Sequence, residues 1–430
     1  MIDIRLIREN PQAYRDAAER KNFGVDIDHL LDLDRRLRKS RSELQELATA
    51  KNRTGKEIPR LKDEAKQQAI AEMTRLKERE KALQTEQQEL EPRFDHLLLL
   101  VPQPAADDVP TGQDETENEE LRRWGEPPTF DFKPRDHVEL GELLDIIDIE
   151  RGVKLAGTRS YFLKGAAARL HWAVLRFAMD TMVVRGYMPL SPPVIVRDEA
   201  MRGTGYFPGG EDQAYRIGSD ELNLVGTAEV PVTAYHLGEI LDEKQLPRKY
   251  TALSACFRRE AGTYGKDTRG LFRIHQFEKV EQVVVCRADE DESKQFHEEI
   301  LANAEAVVQA LGLPYRVMNV CTGDLGRGQI KKYDIECWMP SRESYGETHS
   351  ASRFGDFQAR RLNLRYRDGQ GKVHFCHTLN NTVIASPRIL IPLLELNQQQ
   401  DGSIVIPEAL RSYLGGQERI TPKAGSPRNT

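Results

Sequence analysis

Leucines at 30, 33, 37, 44 and 47 recur in steps built from threes and fours, and the series resumes as Ala69, Met73, Leu76, Leu83, Leu90, Phe94 and Leu97. That spacing is the period of a helix with one apolar seam; a strand would need its apolar residues at every second position. Residues 28–100 are rich in Leu, Lys, Arg, Glu and Gln with almost no aromatic residue. Neither helix has a core of its own, so each must bury its seam against the other. Between them, KNRTGKEIPRLKDE at 51–64 carries Gly55 and Pro59, which interrupt a helical pattern. The expectation is an antiparallel hairpin with its tip between 52 and 68, each helix running about 35–40 residues and about 50–60 Å.

Charge is unevenly placed on this arm. Residues 35–66 hold eleven Lys or Arg against five Asp or Glu, in a chain whose net charge is −6. Glu86, Glu89, Glu91 and Asp95 offset the surplus from the second helix. A solvated coiled coil would show this pattern, and so would an arm whose lysines and arginines track phosphates without reading bases. No overall basicity advertises a nucleic-acid partner such as DNA, although a local basic surface can bind one. No stretch approaches the roughly 18 apolar residues of a membrane span. The amino terminus has no signal-type apolar core, and Cys256, Cys286, Cys321, Cys337 and Cys376 form no CxxC pair. These features point to a soluble cytoplasmic protein with reduced thiols.

Composition changes near residue 120. Between 107 and 120 there are seven acidic side chains and no basic one, flanked by prolines, which predicts a linker over 106–128. From there the pattern mixes helices (170–184, closed by Gly186, and 289–311) with strands (YMPLSPPVIV, 271–276, 280–285, 333–339 and 372–379). This is an α+β pattern with a largely antiparallel sheet rather than alternating βα units. The Gly-, Pro-, Lys- and Ser-rich end from 416 to 430 predicts disorder. The expected division is 1–105, linker 106–128, domain 129–415 and tail 416–430.

The chemistry concentrates in four stretches. In FRREAGTYGKDTRGLFRIHQFEKVE, 257–281, Arg258 and Glu260 are two apart, and Arg273, Phe277 and Glu281 follow at intervals of four. On strands, even-numbered steps keep one face, so one sheet surface could display all five. Arginines so placed could neutralise phosphates, and Phe277 could stack on a purine or belong to the core. In GTAEVP, 226–231, an extended chain would put Thr227 and Glu229 on one side, as a receptor for a small amine or as a turn cap. YGETHSASRFGDFQARR, 345–361, offers Glu347, Ser350 and Asp356 beside arginines, and oxygen donors next to phosphates suit a hard cation. HTLNNTVIASPRIL, 377–390, places Asn380 and Thr382 two apart and Arg388 before an apolar run. There is no Walker motif, strand-linked GxGxxG, HExxH or GxSxG.

In the order and spacing of these motifs, and in the helical arm, the chain resembles the bacterial-type seryl-tRNA synthetases over nearly all of residues 1–415. The resemblance implies a class II antiparallel sheet with flanking helices, and an arm that clasps the long variable arm of serine tRNA through Arg35, Arg36, Arg38, Lys39, Arg41, Lys51 and Arg53. It implies ATP at Arg258, Glu260, Arg273, Phe277, Glu347, Ser350 and Arg388, with Arg258, Glu260 and Arg388 as the catalytic set. Serine would sit at Thr227, Glu229, Arg258, Glu281, Asn380 and Thr382, and Mg²⁺ at Glu347 and Ser350. The helix at 170–185 and the strand with Pro193 resemble the class II dimer motif, which implies a homodimer. Serine tRNA, and through the same family selenocysteine tRNA, are the implied RNA partners. Two departures stand out: NNT replaces the NGS of many relatives, adding a methyl at Thr382, and ETHS replaces EISS. A ligase that loads a carrier protein would be expected to lack the arm. A noncatalytic RNA-binding derivative would be expected to have lost Arg258, Glu281 or Arg388.

Overall fold

The computed structural model describes residues 1–262, 265 and 269–422. The middle of the glycine-broken stretch and the end beyond 422 fall outside them. The chain divides into two compact units, Met1–Pro104 and Ala105–Thr430.

In the first unit two short helices, α1 (Ile4–Glu9) and α2 (Pro11–Arg20), precede the hairpin formed by α3 (Ile27–Glu57) and α4 (Asp63–Leu100). At about 1.5 Å per residue these long helices measure roughly 46 and 57 Å. Asp26 caps α3, its side chain accepting from the His29 N–H at 2.8 Å. Gly55 lies within α3, so the break falls later, in the 3₁₀ turn Ile58–Arg60 that contains Pro59. The predicted seam is the buried one near the base, where Leu33, Leu37 and Leu90 pack with Phe94 and Leu97. Toward the tip Leu44, Leu47, Ala69, Met73 and Leu76 are only half-buried.

The second unit is built on an eight-stranded sheet. Its strands are β1 (Glu119–Trp124), β2 (Met188–Leu190), β3 (Arg248–Phe257), β4 (Gln276–Cys286), β5 (Tyr315–Asn319), β6 (Lys331–Met339), β7 (Ser344–Gly355) and β8 (His377–Ser386), arranged β1-β5-β6-β7-β8-β4-β3-β2. Every neighbouring pair is antiparallel except β2 with β3. Helices Ala166–Val184 and Glu290–Ala310 cover one face, where Leu170, Val174, Val280, Val284, Val307, Ile335, Leu379 and Val383 form the core. Alternation then sends Phe277, Lys279 and Glu281 of β4 to the opposite face.

Two bulges interrupt that alternation where it matters. In the β6–β7 ladder Glu336 pairs with Glu347 and Ile335 with His349, leaving Thr348 as the extra residue. In the β4–β8 ladder Glu281 pairs with Thr382 and Val280 with Ile384, leaving Val383 extra. Each extra residue shifts the parity of its strand, so Glu347 shares a face with Ser350, and Thr382 with Ala385.

Several expectations are corrected. The segment 106–128 is not linker throughout, because Glu119–Trp124 pairs with β5 as the sheet edge. The expected strand 271–276 contributes only Gln276, since β4 begins there. GTAEVP is not extended: Glu229 opens the short helix Glu229–Thr233, with Pro231 tolerated in the first turn. The expected tail is ordered as far as it is described, Arg419–Ile420 pairing with Ile404–Val405.

Candidate active site

On the open face of the sheet, β4, β7, β8 and the segments around 227 and 258 line a partly open cleft with a cavity volume of about 140 Å³. Its walls include Thr227, Glu229, Arg258, Glu260, Phe277, Glu281, Glu347, Ser350, Asn380, Thr382 and Arg388. Residues from four separate stretches thus converge on one site. Arg273 is not part of the wall; it reaches the site through its ion pair with Glu260 at 3.4 Å. Asp356 is turned away and pairs with Arg360 at 2.7 Å. The expectation that Arg258, Glu260, Arg273, Phe277 and Glu281 ride on one strand surface fails in detail. β3 ends at Phe257, and Glu260 adopts a left-handed backbone with φ +52.

The inner end is a buried charge cluster. Lys279 is ion-paired with Glu281, and its ammonium donates to the Thr227 hydroxyl at 2.7 Å. Glu229 lies beside them and accepts from the Gln358 amide at 2.8 Å. Burial first, and the Glu281 charge second, push the Glu229 carboxyl up to about 7, against the pull of Lys279, Gln358 and Asn380. Two carboxylates therefore face one ammonium. The cluster is one positive charge short when both are ionised, which suits a small cationic group.

The outer end is cationic. The Arg258 Nε donates to the Gly226 carbonyl at 3.2 Å, and the guanidinium lies 5.2 Å from the Phe277 ring centroid. Arg388 donates from Nε to the Phe272 carbonyl at 3.1 Å and from a terminal nitrogen to the Glu347 carbonyl at 3.0 Å. Loss of solvent would push the Glu347 carboxyl up, but Arg388, Lys332, Arg258 and Arg273 outweigh it and hold that group below the usual carboxylate range. Behind it Asp334, paired with Lys332 at 3.3 Å, is pushed up to about 8 by burial, with Glu347 and Asp324 adding to the shift. Arg388 is drawn below its ordinary value by burial, a shift that Glu347 opposes. An anion seated between Arg258 and Arg388 would satisfy both guanidiniums.

Glu347 and Ser350 present a carboxylate and a hydroxyl to the same cleft. No group of three or more His, Cys, Asp or Glu residues among the described residues could hold a metal. Two oxygen donors fit an ion such as Mg²⁺, which completes its shell with water and substrate phosphates.

Lys279 escaped the sequence reading, as did Phe272 and Gln329. The signal for Lys279 was present in FEKVE: taking four-residue steps from Phe277 to Glu281 skipped the residue midway on the same strand face.

On the arm, most of the seven basic candidates are already paired. Arg36 meets Glu86 at 2.8 Å, Arg41 meets Glu91 at 3.0 Å and Lys51 meets Glu80 at 2.6 Å, all across the hairpin. Arg38 pairs with Asp34 at 3.1 Å, and Arg35 with Asp32. Lys39 and Arg53 have no carboxylate within 4 Å among the described residues. All five cysteines are buried and free, and among the described residues no helix is long and apolar enough to cross a membrane.

Two family models match the chain: a seryl-tRNA synthetase N-terminal domain over residues 1–104, and the tRNA synthetase class II core domain (G, H, P, S and T) over 215–397. A serine–tRNA ligase of Deinococcus radiodurans is 50% identical over 418 residues, covering 97% of this chain and 98% of that protein. One from Fervidobacterium nodosum is 44% identical over 420 residues, with 96% and 98% covered. The crystal structure of a Pyrococcus horikoshii seryl-tRNA synthetase complexed with ATP superposes with a TM-score of 0.92 at 39% identity, covering 98% of this chain and all of that one.

Proposed function

The chain belongs to the seryl-tRNA synthetase family, and on that premise we propose how its cleft divides the work of a serine–tRNA ligase. The enzyme activates L-serine with ATP and transfers it to serine tRNA. In the first step the serine carboxylate attacks the α-phosphorus of ATP, giving seryl-adenylate and pyrophosphate. In the second, a hydroxyl of the terminal tRNA ribose attacks the activated carbonyl and AMP leaves.

The observation that carries the assignment of residues is the polarity of the cleft, anionic at its inner end and cationic at its outer end. Serine lies at the inner end, its ammonium answering the unmatched charge of Glu229 and Glu281, with Thr227, Asn380 and Thr382 lining the pocket. Arg258 is shared, touching the serine carboxylate and the α-phosphate. ATP lies outward with adenine against Phe277 and phosphates toward Arg388, and Glu260 is steered by Arg273. Positioning the two substrates in register, and neutralising charge as it develops at the α-phosphate, are the catalytic acts of this site. When bound at Glu347 and Ser350, Mg²⁺ would supply further neutralisation of phosphate charge. The Thr382 methyl narrows the pocket relative to serine at that position, which disfavours bulkier amino acids. Unpaired polar groups would penalise alanine.

The arm contributes RNA selection. Lys39 and Arg53 are the most available of the seven basic candidates, and the ion-paired ones would exchange a carboxylate for a phosphate. Serine tRNA is the substrate, and selenocysteine tRNA fits the same surface. A homodimer is supported by apolar residues left in solvent between 153 and 195: Leu155 is 76% exposed, Trp172 62% and Val184 87%, with Met188 and Ile195 nearby in sequence. ATP–pyrophosphate exchange across the twenty amino acids, followed by charging of total tRNA, tests the reading. Serine-dependent exchange with charging of serine tRNA is expected. Exchange driven by another amino acid, or no exchange from folded protein supplied with Mg²⁺, would overturn it.

A further inference from the structure

A second buried ionisable pair lies behind the cleft and outside its wall. His137 and Glu395 are 8% and 0% exposed, and the His137 Nδ1 lies 2.7 Å from the Glu395 Oε1. That oxygen also accepts the His137 backbone N–H at 3.0 Å, while Oε2 accepts the Ser341 N–H at 2.9 Å. On its other side the ring accepts the Leu271 N–H at Nε2, at 3.1 Å. A backbone amide can only donate, so Nε2 carries no proton and the ring must be the Nδ1–H tautomer, donating to the carboxylate.

The packing shows what this arrangement holds. Gly270 has φ +84, and a Cβ there would fall 2.2 Å from the His137 Nε2, so the chain passes too close to the ring for any side chain. The next residue but one is Phe272, whose carbonyl accepts from Arg388 at 3.1 Å and whose ring lies 4.5 Å from the same guanidinium. Glu395 belongs to the helix Leu390–Leu396 that starts shortly after Arg388. Besides its bond to the Glu347 carbonyl, Arg388 is held by the Phe272 carbonyl and by the chain that leads into the Glu395 helix, and both of these connections run to the His137–Glu395 pair.

We propose that His137, oriented by Glu395, is a positioning residue that sets Arg388 against the phosphates of ATP through Leu271 and Phe272. This rests on the reading of Arg388 as an ATP-binding group, so the experiment separates the two. In the full-length enzyme, KM for ATP, KM for serine and kcat of pyrophosphate exchange are measured for His137→Asn, His137→Gln, Arg388→Ala and the double variant His137→Asn/Arg388→Ala. Asn keeps a donor near the Nδ1 position and loses the Nε2 acceptor; Gln places an acceptor near Nε2. His137→Asn is expected to raise KM for ATP about tenfold with KM for serine little changed. His137→Gln should restore it, and His137→Asn should change Arg388→Ala by less than about twofold. Equal impairment by Asn and Gln, or an undiminished Asn effect in the double variant, would overturn the positioning role. So would a wild-type KM for ATP in His137→Asn beside an impaired Arg388→Ala. A wild-type KM for ATP in Arg388→Ala would instead sink the ATP reading beneath it. Should His137→Asn fail to fold, nitrogen spectra of the ¹⁵N-histidine-labelled wild type decide, with the His137 signal assigned by its loss in His137→Gln. An unprotonated Nε2 at neutral pH supports the proposal, and a protonated Nε2 overturns it.

Discussion

The helical arm and the catalytic sheet tolerate error very differently. In the arm, partners are local and repeated: α4 spans 38 residues but buries only Leu83, Leu90 and Leu98, and exposed ion pairs line the hairpin. Such pairs contribute only about 0–1 kcal/mol each, so the loss of one leaves the rest in place. In the sheet, the working groups come from positions between 227 and 388, and two single-residue bulges determine which way they face. A small lesion there is not local.

Deleting one residue in each region puts that contrast to its hardest test. Removing Thr348 should restore strict alternation in β7 and turn Glu347 or Ser350 out of the cleft, cutting pyrophosphate exchange by about 10²–10³. Removing one residue of the turn 58–62 should leave exchange within about twofold, since it moves no group of the cleft. Comparable losses from both deletions would erase the distinction. Next in size is Lys279→Met, which strands two buried carboxylates and should destabilise the protein by about 3–5 kcal/mol in chemical denaturation. Adding Glu281→Gln should recover much of that stability while serine activation stays lost. Recovery of both would mean the cluster serves folding alone.

Glu229 sharpens the comparison through pH. Its folded value near 7 lies above the ordinary carboxylate value of 4.5. The folded state therefore holds its proton longer, and the stability it contributes is fully present below the unfolded value. That stability is lost as pH rises to about 7. Serine binding needs the ionised form, so kcat/KM for serine should climb through an inflection near 7 that Glu229→Gln removes. A wild-type profile flat across that range would contradict this role. The smallest effects belong to the arm. Lys39→Ala and Arg53→Ala should weaken tRNA binding, and each should lower the salt slope by about one, because one fewer phosphate is neutralised. Exchange should be unaltered in both. A change in exchange, or an unchanged salt slope, would remove those two residues from the RNA surface.

The sequence was most informative where a period repeats. The seam from Leu30 to Leu97 predicted the hairpin with its tip between 52 and 68, and Gly55 did not itself end the helix because one glycine costs a helix only about 1 kcal/mol. The hydrophobic runs at 280–285 and 333–339 predicted strands, and both fall within strands of the sheet. Thr348 and Val383 could not be read as bulges, because a bulge is a relation between two strands and leaves no signature in one. β1 was hidden for a related reason: all six of its residues are exposed, so no apolar face marks it as a strand. Most residues expected from the resemblance line the cleft, but Lys279 emerged only when strand parity was tracked residue by residue. His137, more than a hundred residues from its partners, carried no local signal at all.

The division at Pro104 also has a meaning in the order of synthesis. Among the described residues, the ion-pair and seam partners named above lie within the hairpin's own unit and precede the rest of the chain in synthesis. The cleft cannot exist before Arg388 emerges, on the order of tens of seconds later at about 5–20 residues per second. During that interval the nascent chain presents its helical arm with no means of activating an amino acid. On the proposed role of the arm, premature termination after the hairpin would leave a fragment that competes for serine tRNA.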